Sequence, residues 1–139
     1  MDERAFKDRT KKLALRIIEL VEELPNRRTA DVIGRQLLRS ATSVGANYRS
    51  VCRGRLTADV LSKFAIVEEE ADESIYWMEL LVEAHIIPES RVAELMSETN
   101  EIVAMTVASI KTLRIESNHS DVLPNGRESK IGNPKSKIE

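Results

Sequence analysis

Five arginines, Arg28, Arg35, Arg39, Arg49 and Arg53, have the type and spacing that could do chemistry. On a helix turning about 100° per residue they fall within an arc of roughly 60 to 80°, with Thr42 and Ala46 filling the gap, and make a ridge about 38 Å long. A guanidinium presents a planar fork of donors that grips phosphate or carboxylate through paired hydrogen bonds, so the ridge suits several phosphates at once, as a nucleic acid offers them. The same chain contains a competing partner. Residues 27–55 hold seven Arg against one acid, Asp31, for a balance of +6, whereas residues 59–101 hold twelve Asp or Glu against Lys63 and Arg91, for −10. Acids of the chain itself, or of a neighbouring copy, could neutralise the ridge, and the residues alone leave both readings open.

Beside the ridge, Gln36, Ser40, Ser43, Asn47 and Ser50 form a small, uncharged, hydrogen-bonding strip suited to close helix contact, with Gly45 able to admit another backbone. On the acidic segment, Glu69, Asp72, Glu73, Glu79 and Glu83 lie within about 120° of arc and read as a solvated face. Glu68 sits instead at the margin of the apolar stripe. A half-buried carboxylate there needs a partner, which an Arg or the Ser/Asn strip could supply. Trp77, Leu80 and Ala84, with Tyr76, extend the apolar surface beyond a single stripe. A lone bundle would leave them wet, so they are the expected interface of a homo-oligomer.

Catalytic equipment is not evident. The chain has one cysteine, Cys52, and two histidines, His85 and His119, and it lacks a Ser-His-Asp order, a phosphate-cradling glycine loop and metal-ligand spacing. A di-metal carboxylate bundle would require two Glu-x-x-His pairs, and neither histidine completes one. No enzymatic activity, cofactor, metal or small-molecule substrate is therefore expected. Cys52 reads as a small hydrophobe and His85 as a helix-end cation or a solvated residue. No run of about 18 apolar residues occurs, and the chain opens on the charged MDERAFKDRTKK, which predicts a cytoplasmic protein with no membrane partner.

The elements that must position these residues are helices. Apolar residues make up 42% and charged residues 32%, with only 5 Gly and 4 Pro, a composition that favours long helices over turn-dense β structure. Leu13, Ile17, Leu20, Val21 and Leu24 share helical spacing within residues 5–24, until Pro25-Asn26 interrupts them. A second helix, capped by Thr29 or Asp31, keeps Ile33, Leu37, Ala41, Val44, Tyr48 and Val51 on one face up to Gly54. A third opens at Thr57 and carries Leu61, Phe64, Val67, Ala71, Ile75, Met78 and Val82, ending before Pro88. Pro88-Glu89-Ser90 starts a fourth that runs to about Ile115. Four such helices with short connections predict an all-α, antiparallel, up-down-up-down bundle over residues 1–115. The polar stretch from Glu116 to the end, with its Pro-Asn-Gly and Asn-Pro breakers, predicts a flexible tail over residues 116–139.

QLLRSATSVGANYRS (residues 36–50) followed by IVEEEADESIYWMELL (residues 66–81) resembles the four-helix bundle family of the 23S rRNA intervening-sequence proteins. The resemblance covers about residues 5–115 and rests on Ser43, Val44, Ala46 and Asn47 followed by Glu69, Glu70, Ala71, Glu73, Tyr76 and Trp77. It implies an antiparallel bundle assembled as a homopentamer, some members being encoded inside ribosomal RNA genes, with no established enzymatic activity. The family is also similar to the accessory variability determinant of diversity-generating retroelements, a basic pentamer that works with a reverse transcriptase and its RNA. That similarity implies RNA as the partner of the ridge, and a reverse transcriptase as an alternative one. This chain departs from the relatives' Ile-Ala-Glu-Gly after the Asn motif, having Tyr48, Arg49, Ser50 and Val51.

Overall fold

Residues 1–120 are described by a computed structural model. The tail expected beyond Ser120 lies outside the described residues. Four helices, α1 (Glu3–Glu22), α2 (Arg28–Arg53), α3 (Thr57–Glu83) and α4 (Ala93–Ser120), follow one another, with a single 3₁₀ turn at Glu89–Arg91 ahead of the last.

Local chemistry sets most of their ends. Asp2 caps α1 by accepting a hydrogen bond from the Arg4 N–H at 3.1 Å, which satisfies one of the donors a helix start leaves open. Helix α2 begins earlier than Thr29 or Asp31 would set it. Its N-cap is Arg27, with no side-chain bond, and Asp31 lies in the first turn, where it pairs with Arg35 one turn on. Pro88 opens the 3₁₀ turn rather than α4, and the hydrophobic Ile86 and Ile87 of this connection are buried in the core. At its far end α4 continues through residues 116–119, past the end expected near Ile115. No Gly or Pro interrupts that stretch, and the first breaker is Pro124.

Helix α3 ends in a left-handed residue. His85 has φ 59°. Its N–H donates to the Val82 carbonyl and the Ile86 N–H to that of Leu81, both at 2.9 Å, while Leu81 and Ile86 are both buried. This pair of hydrogen bonds with its apolar clasp usually has glycine at the left-handed position, because a Cβ there costs about 1–2 kcal/mol. Replacing His85 with Gly is therefore expected to raise the unfolding free energy by about 0.5–1 kcal/mol after the extra chain entropy of glycine is subtracted. Urea unfolding should show a higher midpoint at unchanged slope.

The helices run antiparallel, as partner numbers show. Along α1, Arg9 meets Glu98 and Glu101, Arg16 meets Glu94, and the terminal Glu23 meets Arg91, so numbers rise on one side as they fall on the other. Between α2 and α3, Ser40 bonds Ser74 and the Tyr48 ring lies 6.0 Å from that of Phe64. Contacts link α1 to α2, α2 to α3, α3 to α4 and α4 back to α1, closing an up-down-up-down bundle.

One core runs through it. The expected stripes are buried at Leu13, Ile17 and Leu20, at Leu37, Ala41, Val44, Tyr48 and Val51, and at Leu61, Phe64, Val67, Ala71, Ile75 and Met78. Phe6 joins them with no exposed surface, its ring edge-on to Tyr48 at 4.6 Å. Burial, reinforced by the neighbouring Cys52, pushes the Tyr48 phenol well above its ordinary pKa. Thr10, Thr99 and Thr106 are also buried, and each hydroxyl donates to a carbonyl of its own helix, so none is left without a partner.

Candidate nucleic-acid interface

All five ridge arginines are exposed on α2, yet they do not form one free row. Arg35 pairs with Asp31 at 2.6 Å. Arg39 reaches across to α3 and holds both oxygens of Glu70, at 3.0 and 3.3 Å, and Glu73 at 2.8 Å. The hydrogen bonds that Arg39 donates to Glu70, then the charges of Glu70 and Glu73, keep the Arg39 pKa above its ordinary value. Arg28, Arg49 and Arg53 have no ion pair among the described residues. Carboxylates of the same chain thus hold the middle of the ridge and leave its two ends open. Both members of the Arg35 pair stay largely in water, which limits what that pair contributes to stability. Glu70, with a side chain only 14% exposed, gains more from its partner. Arg39→Gln is expected to lower stability by about 0.5–1 kcal/mol, read from the urea midpoint, because Glu70 would lose its two-point contact.

The acid facing α2 is not Glu68. That carboxylate is half-buried, with no hydrogen bond among the described residues, while Glu70 and Glu73 take the arginine. Either margin of an amphipathic helix can meet a neighbour, and here the Glu70 margin is the one that faces α2. The strip beside the ridge is used in part. Ser40, wholly buried, shares a 2.9 Å hydrogen bond with Ser74 of α3, also wholly buried. Asn47 donates to the Ser43 carbonyl of its own helix at 2.9 Å and does not bond across. The backbone that Gly45 admits is that of α1: a Cβ there would lie 3.3 Å from the Thr10 hydroxyl oxygen and 3.6 Å from the Thr10 backbone carbon.

That close approach shapes a groove between α1 and α2. Lys7 and Lys11 of α1 and Arg49 of α2 line it together with Thr10, Ala14, Thr42, Gly45 and Ala46, and its volume is about 260 Å³. Lys7 is 3.6 Å from Glu3, whereas Lys11 and Arg49 have no carboxylate partner among the described residues. Sequence periodicity along α2 could not find the two lysines, since they belong to another helix. The signal for them was the register of Lys7, Lys11 and Ala14 on one side of α1.

The aromatic surface of α3 is less open than its composition predicts. Trp77 is half-buried against the core, and its Nε1 is the one buried side-chain nitrogen or oxygen without a hydrogen-bond partner among the described residues. Leu80 is half-buried, Ala84 is exposed at the helix end, and Tyr76, 51% exposed, lies edge-on to Trp77 at 5.1 Å. Part of the expected interface is therefore covered within the chain, and Tyr76 and Ala84 remain outside.

Elsewhere, Arg9 clamps α1 to α4 through Glu98, at 2.9 and 2.7 Å, with Glu101 at 3.4 Å, an ion cluster that charge counting along the chain does not reveal. Cys52 is half-buried, and burial pushes its thiol pKa up, away from the reactive thiolate. Among the described residues no three His, Cys, Asp or Glu side chains gather to hold a metal ion. No described helix is long and apolar enough to cross a membrane.

These features define an antiparallel four-helix bundle with a divided arginine face and a basic groove at one end of it. Residues 4–108 match the 23S rRNA-intervening sequence protein family, and the chain belongs to that family. It is similar to a Bacteroides thetaiotaomicron protein of unknown function from the S23 ribosomal protein family, whose crystal structure it matches with a TM-score of 0.74 at 33% identity. That likeness covers 80% of this chain and 99% of the other. No curated protein matches.

Proposed function

We propose that this protein binds RNA, as an assembly of several copies, through the arginine-bearing face of α2. The observation that carries the reading is that Arg28, Arg49 and Arg53 are exposed without carboxylate partners among the described residues, although α3 places acids close enough to take Arg39. Supporting it, the family's description names 23S rRNA. Repetition of the open cations around an assembly would multiply phosphate contacts, and the exposed Tyr76 with its neighbours Trp77, Leu80 and Ala84 offers a surface for such assembly.

Contact with phosphates releases counterions, which makes affinity fall with salt in proportion to the phosphates neutralised. Three cations acting together on single-stranded RNA correspond to a loss of roughly twenty-fold between 50 and 200 mM salt. A filter-binding titration at these two concentrations tests this, and binding that is absent or indifferent to salt overturns the proposal. Light scattering tests the assembly, which a monomer at micromolar concentration would contradict.

A second reading has its own support, since Glu69, Asp72, Glu79 and Glu83 of α3 are exposed with no ion pair among the described residues. A protein scaffold could dock a partner of opposite charge there, for example a reverse transcriptase. Pull-down after nuclease treatment separates the two, because a protein partner survives the nuclease and an RNA-bridged one does not.

A further inference from the structure

We infer that the RNA contact is centred on the α1–α2 groove surrounded by Lys7, Lys11 and Arg49, and that it grips the sugar-phosphate backbone without stacking on bases. The inference rests on the RNA-binding reading above and names the part of the surface and of the ligand involved. Two helices contribute cations to one place here, whereas near the opposite end of α2 Arg27, Arg28 and Arg35 line a pocket with two acids, Asp31, which pairs with Arg35, and Glu22, and α1 adds no cation to it. Lys11 and Arg49 keep their charge available, and Lys7 shares its charge with Glu3 across 3.6 Å.

The small residues among the lining leave room for a chain to lie between the cations. Ala14, Gly45 and Ala46 project little or nothing, and the absence of a Cβ at Gly45 lets the α1 backbone come near. Arg53 stands one helical turn beyond Arg49, about 6 Å along the axis, and continues the row past the groove.

The aromatic inventory supplies the rest. Proteins that bind single strands through their bases stack them on aromatic rings, at about 1–3 kcal/mol per base. This chain has 2 Phe, 2 Tyr and 1 Trp. Phe6, Tyr48 and Phe64 are in the core, and Tyr76 and Trp77 belong to α3, so no ring is available beside the groove. Cations without stacking partners contact phosphate and sugar, which position a nucleic acid but carry no base identity.

The test uses the full chain with oligo(U), oligo(A) and an RNA duplex of equal length. The variants are Lys11→Gln with Arg49→Gln, Ala46→Gln, and Arg28→Gln. Affinity should agree within about threefold between oligo(U) and oligo(A), because backbone contacts do not read sequence. Losing two phosphate contacts should weaken binding about ten-fold or more and flatten the salt slope on single-stranded RNA by about 1.4 in the Lys11/Arg49 double variant. Ala46→Gln fills the groove without removing charge and should weaken binding with the slope unchanged, while Arg28→Gln should have a smaller effect than the double variant. All four positions are exposed, and an unchanged urea midpoint shows that the fold is intact.

If the double variant binds like the wild type while Arg28→Gln weakens binding, the groove is overturned and RNA binding stands. Affinities that differ more than about ten-fold between oligo(U) and oligo(A) overturn the backbone-only contact. A wild-type protein that binds none of the three RNAs overturns both this inference and the function on which it rests.

Discussion

Replacing Phe6 with alanine is expected to lower the unfolding free energy by about 3–5 kcal/mol, the usual cost of deleting a large buried aromatic side chain. Phe6 has no exposed surface, and its edge-on contact with Tyr48 joins the start of α1 to the end of α2. Tyr48 in turn packs against Phe64, so one truncation breaks a row of rings contributed by three helices. Small domains have only about 5–15 kcal/mol in total, so the urea midpoint should fall steeply. Leu15→Ala provides the contrast on the same helix. Leu15 is 52% exposed, and its removal should change stability by no more than about 0.5 kcal/mol. Comparable losses in the two variants would show that the end of the bundle where the three rings meet is not closely packed.

Ser74→Leu is expected to be the next most damaging change, at about 1–3 kcal/mol, because it forces a branched side chain into a contact built for two hydroxyls. Ser40 and Ser74 are both fully buried, and their oxygens are 2.9 Å apart. Each hydroxyl also has a carbonyl of its own helix within reach, Ser40 that of Leu37 at 3.2 Å and Ser74 that of Glu70 at 2.8 Å, and the two protons serve two of these three contacts at a time. Ser74→Ala therefore leaves Ser40 with a partner and should cost about 1 kcal/mol or less. A large loss from Ala with a small one from Leu would mean that the hydrogen bond, and not the closeness of α2 and α3, is what the site requires. Both variants can be compared by urea unfolding, since the slope shows whether the native state stays compact.

The same pair of helices shows how much of the candidate site was legible beforehand. Arginine spacing along α2 placed Arg28, Arg35, Arg39, Arg49 and Arg53 on one exposed side, where the structure has them, because solvent exposure follows from position around a helix axis. Charge counts also suggested that acids of the third helix could answer the ridge. They did not indicate that Arg39 alone would be taken across the interface, nor that Glu70 and Glu73, and not Glu68, would take it. Ser40 was legible as a contact residue from its small size, and its partner Ser74 was not. Lys7 and Lys11 are not legible as part of the site, since nothing in the order of residues on α1 shows that they stand beside Arg49.

Sequence alone therefore determined the number of helices, the stripes that form the core and the antiparallel order, which follow from periodicity, breakers and short connections, and also the family, which rests on the motif residues at 43–47 and 69–77. Tertiary structure alone decided which margin of each helix meets which neighbour. That choice depends on the hand of the bundle and on how closely the backbones approach at Gly45 and at the Ser40–Ser74 contact, quantities to which every helix contributes and which no single segment encodes. It closed the middle of the arginine ridge with carboxylates and left cations open around a groove at one end.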